Sequence, residues 1–171
     1  MPKPWWRETI ETVLWAVVLA LILRTFVVQA FWIPSGSMIP TLEIGDRVLV
    51  LKFWYHLPNN GPERGDIAVF KYPVDPRRDF VKRVIGLPGD TVEMRNGTVF
   101  VNGTEVFEPY VKNTDSYNMA PVKVPEGHYF CLGDNRPNSQ DGRFWGFVPE
   151  NFMRGPAVFR YWPVSRIGFM E

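Results

Sequence analysis

Cysteine is almost missing from this 171-residue chain: Cys131 stands alone, which excludes an internal disulfide and leaves packing to hold the fold. Histidine is nearly as scarce. His56 and His128 supply too few imidazoles for a metal centre built on His and Cys, so no metal and no cofactor is expected. His128 and Cys131 lie three apart in a strand-like stretch and face opposite sides, which argues against a Cys–His dyad. An excess of charge of either sign is absent too. Nineteen Lys and Arg balance eighteen Asp and Glu, scattered without a basic stripe or an acidic tail, so nucleic acid is not an expected partner.

A long unbroken apolar run is also lacking. The one strongly apolar segment, residues 10–28, has an uninterrupted core of only eleven residues, 13–23, short of the ~20 that a spanning helix uses. Its flanks argue for a span all the same. Glu11 and Arg24 stand near the two ends, where a long side chain can reach the headgroups. Trp5 and Trp6 precede the run, and Phe31 and Trp32 follow it, as an aromatic belt would. Read as helix from Trp6 to Trp32, the segment measures roughly 39 Å, about a bilayer with its headgroups. A cleaved secretory signal ending at Val28-Gln29-Ala30 and a buried amphipathic helix are the competing readings. Lys3 and Arg7 against a lone Arg24 place the N-terminus in the cytoplasm and the rest of the chain outside it.

What the chain does have is 46% apolar residues, sixteen Pro and fourteen Gly, the composition of a turn-rich β protein with a real core. Period-two patterns mark strands at 46–53, 66–72 and 80–85. Asn96-Gly97 and Asn102-Gly103 are hairpin turns of a three-strand meander over 91–107, and 129–132 and 157–162 add two strands. Polar connections occupy 73–78 and 108–121, the second long enough to be a functional edge or a mobile loop. The expected fold is mostly β: an antiparallel core hung on one N-terminal transmembrane helix, with residues 1–30 as cytoplasmic tip and helix and 31–171 as the β-rich domain.

Chemistry concentrates first in residues 33–46, IPSGSMIPTLEIGD, where Pro34, Gly36 and Pro40 prevent regular structure and hold two serines in a stiff loop. A plain turn leaving a membrane span would have the same composition. No Gly-x-Ser-x-Gly elbow and no Ser-x-x-Lys occurs, and neither histidine has a suggestive neighbourhood, so a serine nucleophile here would need a lysine base. Such a lysine must be desolvated to be neutral. Lys82, sharing a strand face with Phe80 and Val84, and Lys71, sharing one with Val69, both qualify, and spacing does not choose between them. A third cluster, residues 133–146 (GDNRPNSQDGRFWG), offers Asp134, Arg136, Asp141 and Arg143, either as a buried charge network or as a solvated loop.

Taken together, four segments resemble the boxes of the bacterial type I signal peptidases, in order: Pro34-Ser35-Gly36-Ser37-Met38 with Pro40-Thr41-Leu42 and Gly45-Asp46; Gly65-Asp66-Ile67-Ala68-Val69-Phe70; Lys82-Arg83-Val84-Ile85-Gly86-Leu87-Pro88-Gly89-Asp90; and Gly133-Asp134-Asn135-Arg136 through Asn138-Ser139, Asp141 and Arg143. The resemblance implies a β-rich peptidase core with Ser37 as nucleophile and Lys82, rather than Lys71, as base. It implies an oxyanion hole from the Ser35 hydroxyl and the Ser37 N–H, and Ser139 hydrogen-bonded to the Lys82 amine. Asp141, Arg143 and Arg83 would brace that loop. Phe31, Ile33, Pro34, Met38, Leu42 and Val81 match positions lining two shallow pockets, which implies cleavage after Ala-x-Ala. The implied partners are signal peptides of exported preproteins and the lipid bilayer, and the implied place is the cell membrane, single-pass, with the catalytic domain outside. Pro137 and Gly142 depart from the pattern, standing where many members carry an acidic residue and a serine. A secreted β-rich binding module and an inactive peptidase homologue are the rival readings.

Overall fold

The computed structural model describes residues 5–22, 24 and 27–170, and opens with helix α1 (Trp5–Ile22). Apolar side chains lie all round α1 and none is buried against the rest of the chain. Arg7, Glu8 and Glu11 crowd its first two turns, and among the described residues no helix is long and apolar enough to cross a membrane. Of the expected span, Leu23, Thr25 and Phe26 lie outside the described residues, as does Lys3 of its flank.

The helical reading through Trp32 is corrected. Strand β1 (Val28–Trp32) pairs antiparallel with β2 (Arg47–Leu51), from Val28 opposite Leu51 to Trp32 opposite Arg47. Val28, Phe31 and Trp32 suit a pleated surface, and pairing with β2 gives their backbone groups partners that a free edge would lack.

Ten further strands follow: β3 (Ile67–Lys71), β4 (Asp79–Gly86), β5 (Thr91–Arg95), β6 (Thr98–Val101), β7 (Thr104–Glu105), β8 (Met119–Lys123), β9 (His128–Leu132), β10 (Val148–Pro149), β11 (Met153–Trp162) and β12 (Gly168–Phe169), with a one-turn helix α2 (Gly142–Trp145) before β10. They form an eight-stranded sheet, β1-β2-β11-β3-β4-β9-β10 with β12 beside β11, and a four-stranded sheet, β7-β6-β5-β8. Every pairing of named strands is antiparallel, as expected.

Alternation along single strands divides the core. On β3, Ile67 and Val69 join one apolar cluster with Val48, Val50, Met38 and Leu42, while Ala68 and Phe70 join a second with Val84, Cys131 and Met153. On β9, Cys131 faces that second cluster while Phe130 and Leu132 face a third, packed under Val92, Met94 and Val99 of the small sheet. Each such side chain stabilises the fold by roughly 1.5–3 kcal/mol relative to exposure. Both Asn-Gly turns sit at positive φ (49° and 82°; 53° and 80°), the geometry a two-residue hairpin turn demands.

Two extents differ from expectation. Strand β11 starts at Met153, not 157, because the strand bulges between Met153 and Gly155 and then continues through Gly155-Pro156 instead of breaking there. A Cβ on Gly155 would meet the Leu51 carbonyl oxygen at 2.0 Å, so glycine lets the two backbones touch. The expected 108–121 connection also ends early, its last residues entering β8 beside β5.

Candidate active site

The loop between β1 and β2 is closed at its neck by Ile33 N–H to the Asp46 carbonyl and Gly45 N–H to the Ile33 carbonyl, both 2.9 Å. Met38 and Leu42 anchor it from below, fully buried in the core cluster that also holds Ile33 and Val69. Asp46, itself buried, accepts the Glu43 N–H at 2.9 Å and pairs with Arg160 and Arg166. The loop is therefore held at its neck and its floor, and Ser37 projects from it toward β4.

Strand β4 brings Lys82 to meet it. Lys82 Nζ lies 2.7 Å from Ser37 Oγ and 3.0 Å from the Val81 carbonyl oxygen, with the Phe80 ring centre at 5.3 Å. Ser37 is 8% exposed and Lys82 4%. Burial pushes the Lys82 amine down to about 8, against the pull of the Asp141 and Asp134 carboxylates, which favour the ammonium form. Lys71 is elsewhere. It ends β3 opposite Asp79, its amine over the Phe152 ring, and is not part of the groove at Ser37.

That groove has a volume of about 780 Å³ and is walled by Phe31, Ile33, Pro34, Val69 and Val81, with Ser35, Ser37, Lys82 and Ser139 on its floor and rim. Ser35 is exposed to it. Among the described residues, neither the Ser35 hydroxyl nor the Ser37 N–H has a hydrogen-bond partner in the chain. Among the described residues, two donors thus stand free beside the Ser37 Oγ.

The loop after β9 closes the other side. Gly133 has no room for a side chain, since a Cβ would lie 2.2 Å from Ser139 Oγ and 2.5 Å from the Ser37 carbonyl oxygen. The hydrogen bond expected between Ser139 and Lys82 is not formed. Nζ is engaged by Ser37 and Val81, and the buried Ser139 hydroxyl has no partner among the described residues. The charged residues do form a buried network. Arg83 holds Asp134 through Nε–Oδ1 at 3.0 Å and Nη2–Oδ2 at 2.8 Å, and donates to the Gly65 carbonyl at 2.8 Å. Arg143 forks onto Asp141 at 2.8 and 2.9 Å, and Asp141 in turn accepts the Gly133 N–H at 3.0 Å.

Asn135 was given no role by sequence reasoning, yet it ties the two loops together. Its N–H donates to the Ser37 carbonyl at 3.1 Å and its side-chain amide to the Gly36 carbonyl at 2.9 Å. Thr41 joins them again by donating to Asp134. Asn135 and Thr41 both lie inside the quoted boxes, but nothing local says which partners they reach.

Comparison with known proteins adds identity to this geometry. The model of the family described as signal peptidase, peptidase S26, matches residues 6–162. The chain belongs to that family. Signal peptidase I of Leptolyngbya laminosa is 48% identical over 169 residues, covering 94% of this chain and 82% of the relative. Signal peptidase I of Pseudomonas aeruginosa is 38% identical over 196 residues, covering 85% and 69%. The crystal structure of a signal peptidase I from Enterococcus faecalis V583 superposes with a TM-score of 0.50 at 37% identity, covering 57% of this chain and 97% of that one. The chain is therefore a hydrolase of the signal peptidase I kind. Within this peptidase, the glycine at 142 has a local reason: a Cβ there would meet the Phe130 ring at 2.8 Å and the Cys131 carbonyl oxygen at 2.9 Å.

Proposed function

We propose that this signal peptidase removes N-terminal signal peptides from exported preproteins at the membrane surface, cleaving after Ala-x-Ala with Ser37 as nucleophile and Lys82 as general base. The observation that carries the reading is the 2.7 Å approach of Lys82 Nζ to Ser37 Oγ in a pocket dry enough to lower the amine to about 8. A neutral amine takes the Ser37 proton as Oγ attacks the scissile carbonyl. The charge that develops on the carbonyl oxygen is met by the Ser35 hydroxyl and the Ser37 N–H, both free of other partners. The Lys82 ammonium returns the proton to the departing amine. Water then splits the Ser37 ester with Lys82 again as base.

The apolar walls formed by Ile33, Pro34 and Val81 support a preference for small side chains before the cut. Asp141, Arg143 and Arg83 serve the site by fixing the 133–143 loop. Helix α1 supports action at a bilayer: it exposes Trp5, Trp15, Leu14 and Leu21, and none of its residues is buried among the described residues. We read it as part of a single-pass anchor with the N-terminus cytoplasmic and the β domain outside.

Purified protein incubated with a preprotein ending its signal in Ala-x-Ala tests this. A single new N-terminus after the second Ala, absent with Ser37→Ala, is the expected result. Intact preprotein, or the same cut by Ser37→Ala, would sink it.

A further inference from the structure

The connection between β7 and β8, residues 106–118, contributes nothing to the groove. It lies instead across the residues that hold the groove's two loops. Tyr110 stacks its ring 3.8 Å from the Arg83 guanidinium and donates its hydroxyl to Glu108 at 3.0 Å. Glu108 pairs with Arg136 at 2.6 Å, the two side chains 9% and 1% exposed. Asp115 pairs with Arg143 at 2.6 Å, and Arg143 also donates to the Arg136 and Ser139 carbonyls. Asn113 donates to the Asn135 side chain at 3.2 Å, and Asn135 holds the Gly36 and Ser37 carbonyls.

Charge explains why such a strap is needed. Three buried guanidiniums, Arg83, Arg136 and Arg143, face only two carboxylates from their own segments, Asp134 and Asp141. A buried cation left unpaired is costly, so the 133–143 loop alone would not keep all three inside. Glu108 supplies the missing charge to Arg136 from outside the loop, and Asp115 adds a second carboxylate to Arg143. The strap is itself fixed from behind: Gly97 N–H donates to the Tyr117 carbonyl at 2.9 Å, and Asn96 N–H to the Asn118 side chain at 2.8 Å. A Cβ on Gly97 would sit 1.9 Å from the Asp115 carbonyl oxygen, so the β5–β6 turn presses directly on the strap.

We propose that Glu108, Tyr110, Asn113 and Asp115 are positioning residues for the peptidase, and that the four-stranded sheet acts as the buttress that presses them onto Arg136, Arg83, Asn135 and Arg143. The proposal rests on the reading of Ser37 and Lys82 as the dyad. None of the four touches substrate. Each acts through a residue that sets where Ser37 or the 133–143 loop stands; removing the supports of metal ligands costs about ten- to a hundred-fold, and an effect of that order is expected here.

The test uses the full chain and a preprotein ending in Ala-x-Ala. Asp115→Ala and Asn113→Ala are expected to lower kcat, the former about ten- to a hundred-fold, with KM within about two-fold and the melting temperature still above the assay temperature. Tyr110→Phe keeps the ring on Arg83 and is expected to recover most of the kcat that Tyr110→Ala loses. Independently of turnover, the Asn135 amide, whose N–H donates to the Ser37 carbonyl, is expected to exchange with deuterium faster in Asn113→Ala. A lowered melting temperature with normal kcat and unchanged Asn135 exchange would reduce the strap to a staple and overturn the proposal. If the unmodified protein cuts no preprotein, the dyad reading fails. Asn135 exchange then decides the strap, faster in Asn113→Ala supporting it and unchanged overturning it.

Discussion

Along α1, large apolar side chains from Trp5 to Ile22 stand exposed and none is buried, whereas around Ser37 the charged side chains of Lys82, Arg83, Asp134, Arg136 and Asp141 are almost sealed from water. Both regions invert the usual distribution, for different reasons. Among the described residues none of the helix's apolar side chains is buried, an arrangement that suits an apolar medium outside the chain. The buried guanidiniums meet carboxylates within the chain: Arg83 and Arg143 are forked by Asp134 and Asp141, and Arg136 makes a single contact to Glu108. One member of that buried set differs from its neighbour. Arg83 has Asp134 at 2.8 Å, while the next residue back, Lys82, has only a hydroxyl and a carbonyl oxygen. Burial without a counter-ion keeps a lysine amine from holding its proton.

The largest expected effect breaks the contrast at its centre. Ser37→Ala and Lys82→Ala should each lower kcat by at least about 10⁴-fold with the fold intact, and the double variant should be scarcely worse, because the pair acts as a unit. Lys71→Ala should stay within a few-fold of the parent. Loss of turnover in Lys71→Ala and its retention in Lys82→Ala would reverse the assignment of the base. Next in size is Arg83→Met. It leaves the Asp134 carboxylate buried without its fork and should cost about 3–5 kcal/mol of stability by urea unfolding. A cost under about 1 kcal/mol would mean that water reaches Asp134 and the network is less dry than its geometry.

How far the sequence alone reached follows the same divide. Period two gave β2, β3, β4 and the β5–β6–β7 meander, and the Asn-Gly pairs gave their turns, because these depend on residues near in sequence. Strand β1 was hidden because its five residues follow an apolar helix and read as its continuation. The start of β11 was hidden because Gly155 and Pro156 read as a turn, whereas both are paired with β3 just after a bulge between Met153 and Gly155. At the site, the residues narrowed the base to Lys71 or Lys82, and the choice came only from resemblance. What no local pattern carried was pairing across distance: Arg83 with Asp134, Asn135 with the Ser37 carbonyl, and Tyr110 lying on Arg83.

Ser35→Ala sharpens the contrast between the two serines, one buried against an amine and one exposed with its hydroxyl free. If that hydroxyl donates to the developing oxyanion, kcat should fall by roughly 10²–10³, about 3–4 kcal/mol, with KM barely changed, since the bond is strong only once charge has formed. Ser35→Thr keeps the hydroxyl and should recover part of the rate. A normal kcat with a lowered melting temperature would make Ser35 a turn residue.

The smallest effect, and the one that reads the lysine directly, is on stability against pH. The folded-state amine titrates at about 8, against the ordinary 10.5 of a lysine in the unfolded chain. Between those values the unfolded chain holds more protons than the folded one, so stability rises with pH across the window from about 8 to 10.5. Below 8 both forms are protonated and the full cost of burying the ammonium is present. Above 10.5 both are neutral and the cost is gone. The total is on the order of 3 kcal/mol at 1.36 kcal/mol per pKa unit. Lys82→Met removes the titrating group, so the variant should be more stable than the parent at pH 7 by about that amount and lose the rise between pH 8 and 10.5, while turning over no substrate. In the parent, the acid limb of kcat/KM should fall in the same range, near 8, because only the neutral amine accepts the Ser37 proton. Urea unfolding of both proteins at pH 7, 8.5 and 10 checks the first expectation, and a kcat/KM profile of the parent checks the second. Parallel stability curves would mean that Lys82 keeps an ordinary pKa, and a rate already flat from pH 5 upward would remove lysine as the base.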